Sequence, residues 1–361
     1  MPTRRRSLPF ENWPYVDQAL WHDLIREGDI LDGCGPGAGW APSTKINTRK
    51  AYAYWLQWLA TTGQLDPVNH PLTRLTPERI KEYIVSRRDD VASLTIFVYI
   101  LDLLRLAQAT TPDWDWSWLK GIKNRLWARA HSERDKTSKI RSSADLLGLG
   151  IDFMNSSDGI TCRYNPFAAE VQFRDGLMIS LLAARPVRLK NLAAIEIGRH
   201  LLKIDDLYWL IFVADEVKNR KSIEVPLPEV LTECVDRYLT EHRPCLLGGR
   251  RSDHLWISRF GNSLTDKSIR HQIKNRTEDA FGEAISPHLF RDCAATSIAI
   301  EDPEHVRMAA TLLGHHSLAT TQKYYDQSRM LAAGRHYQST MTAMRDGIRL
   351  NNSNHPRTSE T

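Results

Sequence analysis

Apolar residues recur at three- and four-residue spacing along the first third of the chain, which is the pattern of amphipathic helices. The pattern predicts one helix from Pro42, a second that Thr76-Pro77-Glu78 opens, a third over 92–109 and a fourth that begins near Trp114. Proline just inside a helix start is favourable, because its missing N–H would have no helical partner there. Residues 41–130 are therefore predicted to form an all-α domain.

Two stretches with few apolar residues border this helical region. Residues 1–40 are predicted to be a lead-in, and its glycine-rich run from Asp32 to Gly39 is typical of a flexible linker. Residues 131–141 hold one apolar residue among mixed charges. That segment buries too little apolar surface to offset the entropy of ordering, so it is predicted to be an interdomain linker.

The pattern after residue 142 mixes helical and strand periods. The last two β-prone segments flank a turn that holds Lys218, which favours a small antiparallel sheet. The predicted segments are helices at 144–155, 173–182, 228–239 and 265–280 and strands at 200–204, 209–213 and 222–225. The predicted fold class is mainly α with a small antiparallel β-sheet: a helical domain, an α+β domain over 142–345, and a polar tail over 346–361.

Composition limits the class of protein but does not indicate a function. The length of 361 residues suits two domains, and 42% apolar with 25% charged residues is ordinary for a globular protein. The net charge of +5 favours a nucleic-acid partner only slightly. Five cysteines without a CxxC pair favour a reducing cytoplasm over a disulfide framework or zinc knuckle. No apolar run suggests a membrane span, and none follows MPTRRRSLPF as in a secretory signal.

The stretch from Ser286 to Asp326 concentrates the candidate chemistry. His288 and Arg291 lie three residues apart, which places both on one helix face, within reach of one anionic group. His315 follows, and Tyr324 comes nine residues after it. The motifs His288-Leu-Phe-Arg291, Leu313-Gly314-His315 and Thr321-Gln-Lys-Tyr324 resemble the active-site box of the tyrosine recombinases, the phage integrase family.

Two more positions complete the resemblance. Arg188 matches the family's first arginine, with Arg185 as a less well spaced alternative. Lys218 lies in a segment that ends in Val-Pro-Leu, as the family's hairpin does, and Lys221 is its alternative. The family usually has an acidic residue where this chain has Asn191. The residues that the resemblance implies to be catalytic are Arg188, Lys218, His288, Arg291, His315 and Tyr324.

The chemistry of DNA strand cleavage suits these residue types. Tyr324 is the candidate nucleophile, because a phosphotyrosyl bond can be attacked again by a DNA hydroxyl without ATP. Tyr325 is the rival; adjacent helical positions point about 100° apart, so only one of the two can face the site. Guanidinium groups bind phosphate bidentately, which makes Arg188 and Arg291 the candidate clamp on the phosphoryl oxygens.

A lysine and two histidines are left for proton transfer. Lys218 is the candidate general acid for the departing 5′ oxygen, although a lysine here could also be a plain charge at a hairpin tip. His288 and His315 are candidates for hydrogen-bonding the phosphoryl oxygens or moving the tyrosine proton, while His316 is expected to face away. The histidine spacing does not fit a metal site, so we expect no metal and no cofactor.

The family also carries a helical DNA-clasping domain ahead of its catalytic domain. The resemblance therefore implies that residues 41–130 are a core-binding (SAM-like) DNA-binding domain. For each basic residue on these helices, a solvated helix face is an equally good explanation. The candidate phosphate contacts are Lys45, Arg49, Lys50, Arg87 and Arg88.

Taken together, these features predict a site-specific DNA recombinase or integrase that works through a 3′-phosphotyrosyl intermediate. The resemblance implies double-stranded DNA as partner, a tetramer on paired sites, and accessory DNA-bending or directionality proteins as further candidates. Two alternatives stay open: a type IB topoisomerase, which uses nearly the same residues, and a DNA-binding protein that has kept the fold without turnover. The segment after Tyr325 could dock on a neighbouring protomer or cap its own.

Overall fold

The computed structural model describes residues 7–29, 31–130 and 137–301, together with Met341. The chain divides into two compact units, 1–135 and 136–361, and the division falls inside the segment predicted to be a linker. Each unit has an apolar core of its own.

The described residues of the first unit form five α-helices. Thr76 caps the third of them as the sequence predicts, since its hydroxyl accepts a hydrogen bond from the Arg79 N–H at 3.3 Å. The core holds fully buried aromatic and aliphatic side chains, among them Trp55, Tyr83 and Leu103. The helices are α1 (Tyr15–Ile25), α2 (Pro42–Thr61), α3 (Pro77–Arg87), α4 (Ser93–Thr110) and α5 (Ser117–Arg129).

Helix α1 lies inside the region predicted to be a lead-in, so the structure differs from that expectation. Trp21 and Leu24 on α1 are buried in the core of the first unit. The glycine-rich run is ordered as well: the Gly35 N–H donates to the Arg26 carbonyl at 2.9 Å, and the Gly37 N–H donates to the Leu24 carbonyl at 2.8 Å. A Cβ atom at Gly35 would lie 2.1 Å from the Asp23 carbonyl oxygen, so glycine is needed for this close approach.

Helix α4 is, by length and composition, apolar enough to cross a membrane, with a mean hydropathy of 1.3. In the structure α4 packs against α2 and α5, and Ile100, Leu103 and Leu106 on it are fully buried. A buried core helix of a globular domain passes the same length and composition test.

The described residues of the second unit combine helices with a small three-stranded sheet, which confirms the predicted fold class. The sheet is antiparallel in the order β1-β2-β3, with Leu202 opposite Trp209 and Ile211 opposite Glu224. Helix α7 is the centre of the core, since every residue from Phe173 to Ala183 is buried. The elements are α6 (Ser143–Asn155), α7 (Ala168–Ala184), α8 (Leu189–Ala193), β1 (Leu201–Ile204), β2 (Leu207–Phe212), β3 (Ile223–Pro226), α9 (Thr232–Arg237), α10 (Arg243–Leu247), α11 (Asp266–Phe281) and α12 (Pro287–Glu301).

The single helix predicted over 228–239 is instead a longer, interrupted one. A 3₁₀ turn over Glu229–Leu231 leads into α9, and a π-helical turn over Tyr238–His242 joins α9 to α10. Pro244 lacks an N–H and cannot make the regular helical hydrogen bond. The chain widens ahead of it, and the Arg243 N–H donates to the Tyr238 carbonyl five residues earlier.

The last part of the predicted linker packs on the second unit. Lys139 forms an ion pair with Glu283 at 2.9 Å, the Arg141 N–H donates to the Cys293 sulfur at 3.5 Å, and Ile140 packs against the core. Ile140, the single apolar residue of the segment, is therefore partly buried against the core of the second unit.

Helices α6 and α7 cross at two glycines, which yields a stability prediction. A Cβ atom at Gly150 would lie 2.2 Å from the Ser180 hydroxyl oxygen and 2.5 Å from the Gly176 carbonyl oxygen, so the helices would have to separate. We expect Gly150→Ala to lower the free energy of unfolding of this unit by about 1–3 kcal/mol. Gly148 on the same helix has nothing within 4 Å of a Cβ atom, so Gly148→Ala should raise it by about 0.5–1 kcal/mol.

Urea unfolding followed by circular dichroism measures both variants. Because each replaces a helical glycine of α6 by alanine, the difference between them isolates the helix crossing from helix propensity. Equal effects of the two substitutions would contradict this account of the α6–α7 contact.

Candidate active site

Arg188 lies at the end of the short loop that joins α7 to α8. It caps the N-terminus of α8, and its carbonyl accepts a hydrogen bond from the Leu192 N–H at 2.9 Å. The side chain is partly buried, and within the described part of the chain its guanidinium has no hydrogen-bond or ion-pair partner. Because its donors are not used within the described residues, this guanidinium is available to bind an external anion.

Arg185, the alternative to Arg188, has a different task. Its Nε donates to the Pro226 carbonyl at 2.8 Å, and its Nη1 donates to the Ala184 carbonyl at 3.2 Å. Burial lowers the pKa of this guanidinium. Arg185 thus ties the loop to the end of β3, which leaves Arg188 as the better candidate for binding phosphate.

Arg291 connects α12 to the same loop. The residue is only 6% exposed, and its Nη1 donates to the Pro186 carbonyl at 2.6 Å, two residues before Arg188. This charge-assisted hydrogen bond brings the second predicted arginine to the loop that carries the first. His288 lies on the first turn of α12, three residues before Arg291, and is exposed.

Lys218 lies in the connection between β2 and β3. This connection is more than a hairpin tip: a 3₁₀ turn over Ala214–Glu216 precedes a tight turn in which the Arg220 N–H donates to the Val217 carbonyl at 2.8 Å. We call residues 217–220 the lysine turn. Val217 is buried and Lys218 is exposed; neither Lys218 nor the alternative Lys221 has a side-chain partner among the described residues.

Asn191 joins α8 to the segment that leads into the lysine turn. Its side chain is 4% exposed, and its Nδ2 donates to the Glu216 carbonyl at 3.2 Å. The helix that Arg188 opens is therefore hydrogen-bonded to the residue two positions before Lys218. A carboxylate at residue 191, as is usual in the resembled family, could not donate this hydrogen bond.

The Glu216 side chain is held by three donors. Its Oε1 accepts from the Arg199 guanidinium and lies 3.2 Å from His200 Nε2, and its Oε2 accepts from the Val213 N–H at 3.1 Å. His200 Nδ1 accepts from the Glu196 N–H at 3.0 Å, so the ring proton is on Nε2 and points to Glu216. The hydrogen bond with His200 is the main reason why the pKa of Glu216 is lowered.

The structure thus brings part of the predicted set together. Arg188 and Arg291 meet at one loop, and Asn191 connects that loop's helix to the strand connection of Lys218. His315 and Tyr324, with their neighbours His316 and Tyr325, lie outside the described residues. Sequence reasoning assigned no function to Glu216 and His200, and nothing in their spacing marks them.

The predicted phosphate contacts all lie on α2 and at the end of α3. The Lys50 ammonium and the Arg87 guanidinium both lie over the Tyr54 ring, at 6.0 and 5.9 Å from its centre. Arg87 also lies 5.3 Å over Tyr83 and is largely buried, so packing accounts for much of its placement. Lys45 is partly buried and Arg49 is exposed, with its guanidinium 5.9 Å from the Phe10 ring centre.

Arg88 lies apart from that aromatic cluster. It lines a groove of about 700 Å³ between α3, α4 and α5 whose other basic side chains are Lys81, Arg125 and Arg129. Among the described residues, no group of three or more histidine, cysteine, aspartate or glutamate side chains is arranged to hold a metal ion.

Comparison with known proteins identifies the second unit. Residues 162–330 match the model of the phage integrase family. Tyrosine recombinase XerD of Pseudomonas aeruginosa is 36% identical over 152 residues, which are 42% of this chain and 49% of XerD, so the chain spans about half the length of this relative. XerD of Yersinia pestis is 24% identical over 281 residues, 75% of this chain and 84% of that protein.

The fold is shared with a solved structure of the same kind. The XerH site-specific recombinase, bound to palindromic difH substrate in a post-cleavage complex, is similar with a TM-score of 0.57 and 18% identity over 82% of this chain and 79% of XerH. At that identity the similarity shows the fold alone. The second unit therefore carries a phage integrase family domain over residues 162–330, the domain that it shares with the XerD tyrosine recombinases.

Proposed function

We propose that this chain is a site-specific DNA recombinase that cuts and rejoins DNA strands through a 3′-phosphotyrosyl intermediate, without a metal ion or ATP. The observation that carries the proposal is the hydrogen bond from Arg291 to the Pro186 carbonyl. It joins two arginines, 103 positions apart in the sequence, at one loop. In the proposal both guanidinium groups bind the phosphoryl group, whose negative charge increases during displacement.

The proposed cleavage step uses one bond exchange. The Tyr324 hydroxyl oxygen attacks the scissile phosphorus, the bond from phosphorus to the 5′ oxygen breaks, and Lys218 gives that oxygen its proton. His288 and His315 share two tasks: one of them takes up the tyrosine proton, and the other hydrogen-bonds the phosphoryl oxygens. One phosphate ester replaces another, so the reverse attack by a 5′ hydroxyl on the phosphotyrosine rejoins a strand without an energy source.

The proposed arginine clamp, Arg188 and Arg291, is the reason why the proposed step needs no metal ion. Arg188 and Arg291 supply the positive charge that metal ions supply in many phosphoryl transfer enzymes. A guanidinium stays protonated in proteins, so this charge does not depend on the working pH. Arg291 is fixed by its buried hydrogen bond, and Arg188 stays open to the substrate among the described residues.

The proposed substrate is double-stranded DNA. Lys45, Arg49, Lys50, Arg87 and Arg88 on the first unit would contact its phosphates, and loss of one such contact weakens binding and lowers its salt dependence. We propose further that four protomers assemble on two DNA sites, as the crossed exchange of two duplexes requires four cleavages. Accessory DNA-bending or directionality proteins belong to the same proposal.

A covalent trapping assay tests the proposal. The purified chain is incubated in EDTA, without ATP, with nicked suicide duplexes drawn from the flanks of its own gene, and the mixture is run on a denaturing gel. We expect a protein–DNA band that survives denaturation. A band that forms only after Mg²⁺ is added, or DNA binding without any band across the whole set of duplexes, would overturn the proposal.

A further inference from the structure

We infer that Asn191 and Glu216 are positioning residues for Lys218, which hold the lysine turn against the helix that Arg188 opens. The inference rests on the proposed function, in which Lys218 protonates the leaving oxygen. It assigns a task to the amide at residue 191, where the resembled family usually has an acid, and to a carboxylate that the proposed chemistry does not use.

The first anchor is specific to an amide. Asn191 is buried, and its Nδ2 donates to the Glu216 carbonyl at 3.2 Å. A peptide carbonyl only accepts hydrogen bonds, so the side chain at residue 191 has to be a donor. An ionised carboxylate there would place two acceptors against each other in a buried position.

The second anchor is the Glu216 side chain. Its carboxylate accepts from Arg199, His200 and the Val213 N–H, which ties the 3₁₀ turn before Lys218 to the start of β1. His200 is itself fixed, because it is 3% exposed and stacks on the Phe212 ring at 4.8 Å. Its Nδ1 is occupied by the Glu196 N–H, so only Nε2 is left for Glu216.

Lys218 needs such anchors more than an arginine would. Its ammonium is carried on a flexible four-carbon stem, and the described residues give it no partner of their own. A general acid has to come within hydrogen-bond reach of the leaving oxygen, and a displacement of about 1 Å can cost roughly 100-fold in rate. Fixing the backbone at Glu216, directly before buried Val217, limits where the Lys218 ammonium can go.

Two variants remove the anchors one at a time. Asn191→Leu removes the donor with little change in volume, and Glu216→Ala removes the carboxylate. Asn191→Asp tests whether the acid that is usual in the family can replace the amide. We expect it to slow adduct formation as much as Asn191→Leu does. Glu224→Ala is the matched control, because Glu224 is an exposed carboxylate on β3 without a partner among the described residues.

A sulfur-substituted DNA separates positioning of the acid from general damage. In a suicide duplex with sulfur in place of the bridging 5′ oxygen at the mapped cleavage position, the leaving group is a thiol with a pKa of about 8.5, which departs without a proton from the enzyme. On the oxygen duplex we expect adduct formation to slow about 100-fold or more in Lys218→Ala and about 10- to 100-fold in Asn191→Leu and Glu216→Ala. On the sulfur duplex all three should approach the wild-type rate.

Hydrogen exchange supplies a readout that needs no DNA. In the free protein, amides of residues 213–222 should exchange faster in Asn191→Leu and Glu216→Ala than in the wild type and Glu224→Ala. Unchanged protection would overturn the inference, and so would slow cleavage of both duplexes alike. A wild-type protein that cleaves neither duplex would instead overturn the proposed function, and hydrogen exchange would then decide whether the two residues hold the turn.

Discussion

Arg291→Lys is expected to lower the rate of covalent adduct formation by about 10²- to 10³-fold, the range found when one preorganised donor to a developing charge is removed. Lysine keeps the positive charge but not the planar fork. The guanidinium donates one N–H to the Pro186 carbonyl at 2.6 Å, and in the proposed mechanism the same planar group also binds the phosphate. A single ammonium cannot serve both in the same geometry.

The control for Arg291→Lys is Arg270→Lys. Arg270 is exposed on α11, so the same chemical change there should leave the rate unaltered. Adduct formation on a trapped duplex is measured over time, with thermal melts to show that both variants fold. An Arg291→Lys protein that reacts at the wild-type rate would contradict the clamp.

Asp17→Ala is expected to destabilise the first unit by about 3–5 kcal/mol, because it leaves a buried positive charge without its partner. The Asp17 carboxylate is fully buried and accepts hydrogen bonds from the Tyr52 hydroxyl and, at 2.8 Å, from Arg74 Nη2. Arg74 is 1% exposed, and its Nε and Nη1 already lack a hydrogen-bond partner within the described part of the chain. Without Asp17 the whole guanidinium is uncompensated.

Removing the complete buried cluster should be far less harmful than removing Asp17 alone. In the triple variant Asp17→Leu, Tyr52→Phe, Arg74→Met the charges and polar groups disappear together, and we expect most of the stability to return. Nine of the eleven tryptophans lie in the first unit, so tryptophan fluorescence during urea unfolding follows that unit. Asp23→Ala, an exposed change on the same helix, should stay within about 0.5 kcal/mol.

If Asp17→Ala matched Asp23→Ala in stability, the cluster would not hold α1 on the unit. The same result would leave the burial of Trp13, Trp21 and Leu24 as the reason why α1 packs there.

Local signals in the sequence were enough for much of the fold. Thr76 and Pro77 mark the start of α3 because a hydroxyl cap and a proline act within one turn. The strands were found within a few residues, since alternating burial in β2 follows the alternation of side chains along a strand. The predicted fold class was confirmed because it depends only on which segments are helices and which are strands.

The differences arise where distant residues decide the structure. Helix α1 is as short as α3, but Pro14 at its start supplies no side-chain cap. It depends on contacts with α2 and with Arg74, which lies 57 positions after Asp17. The glycines after it are ordered by a close backbone approach that composition does not show. Pro244 explains the π-helical turn, but only the structure shows that the helix continues beyond it.

The candidate site shows the same contrast between local sequence signals and contacts of distant residues. The sequence alone was enough to propose Arg188, Lys218 and Arg291 as site residues, because each lies in a short local motif. The hydrogen bonds between these segments could not be predicted. Arg291 binds the Pro186 carbonyl and Asn191 binds the Glu216 carbonyl, and a backbone carbonyl carries no sequence signal. The predictions for His315 and Tyr324 stay predictions, since both lie outside the described residues.

The central claim is that Tyr324 forms the covalent bond to DNA, and one measurement tests it most directly. The wild type, Tyr324→Phe and Tyr325→Phe are incubated in EDTA with the same suicide duplex, and the denatured adduct is trimmed with nuclease and mapped by mass spectrometry. The account predicts that the adduct lies on Tyr324, that Tyr324→Phe forms none, and that Tyr325→Phe still forms it. An adduct that persists in Tyr324→Phe, or that maps to Tyr325 in the wild type, would contradict it.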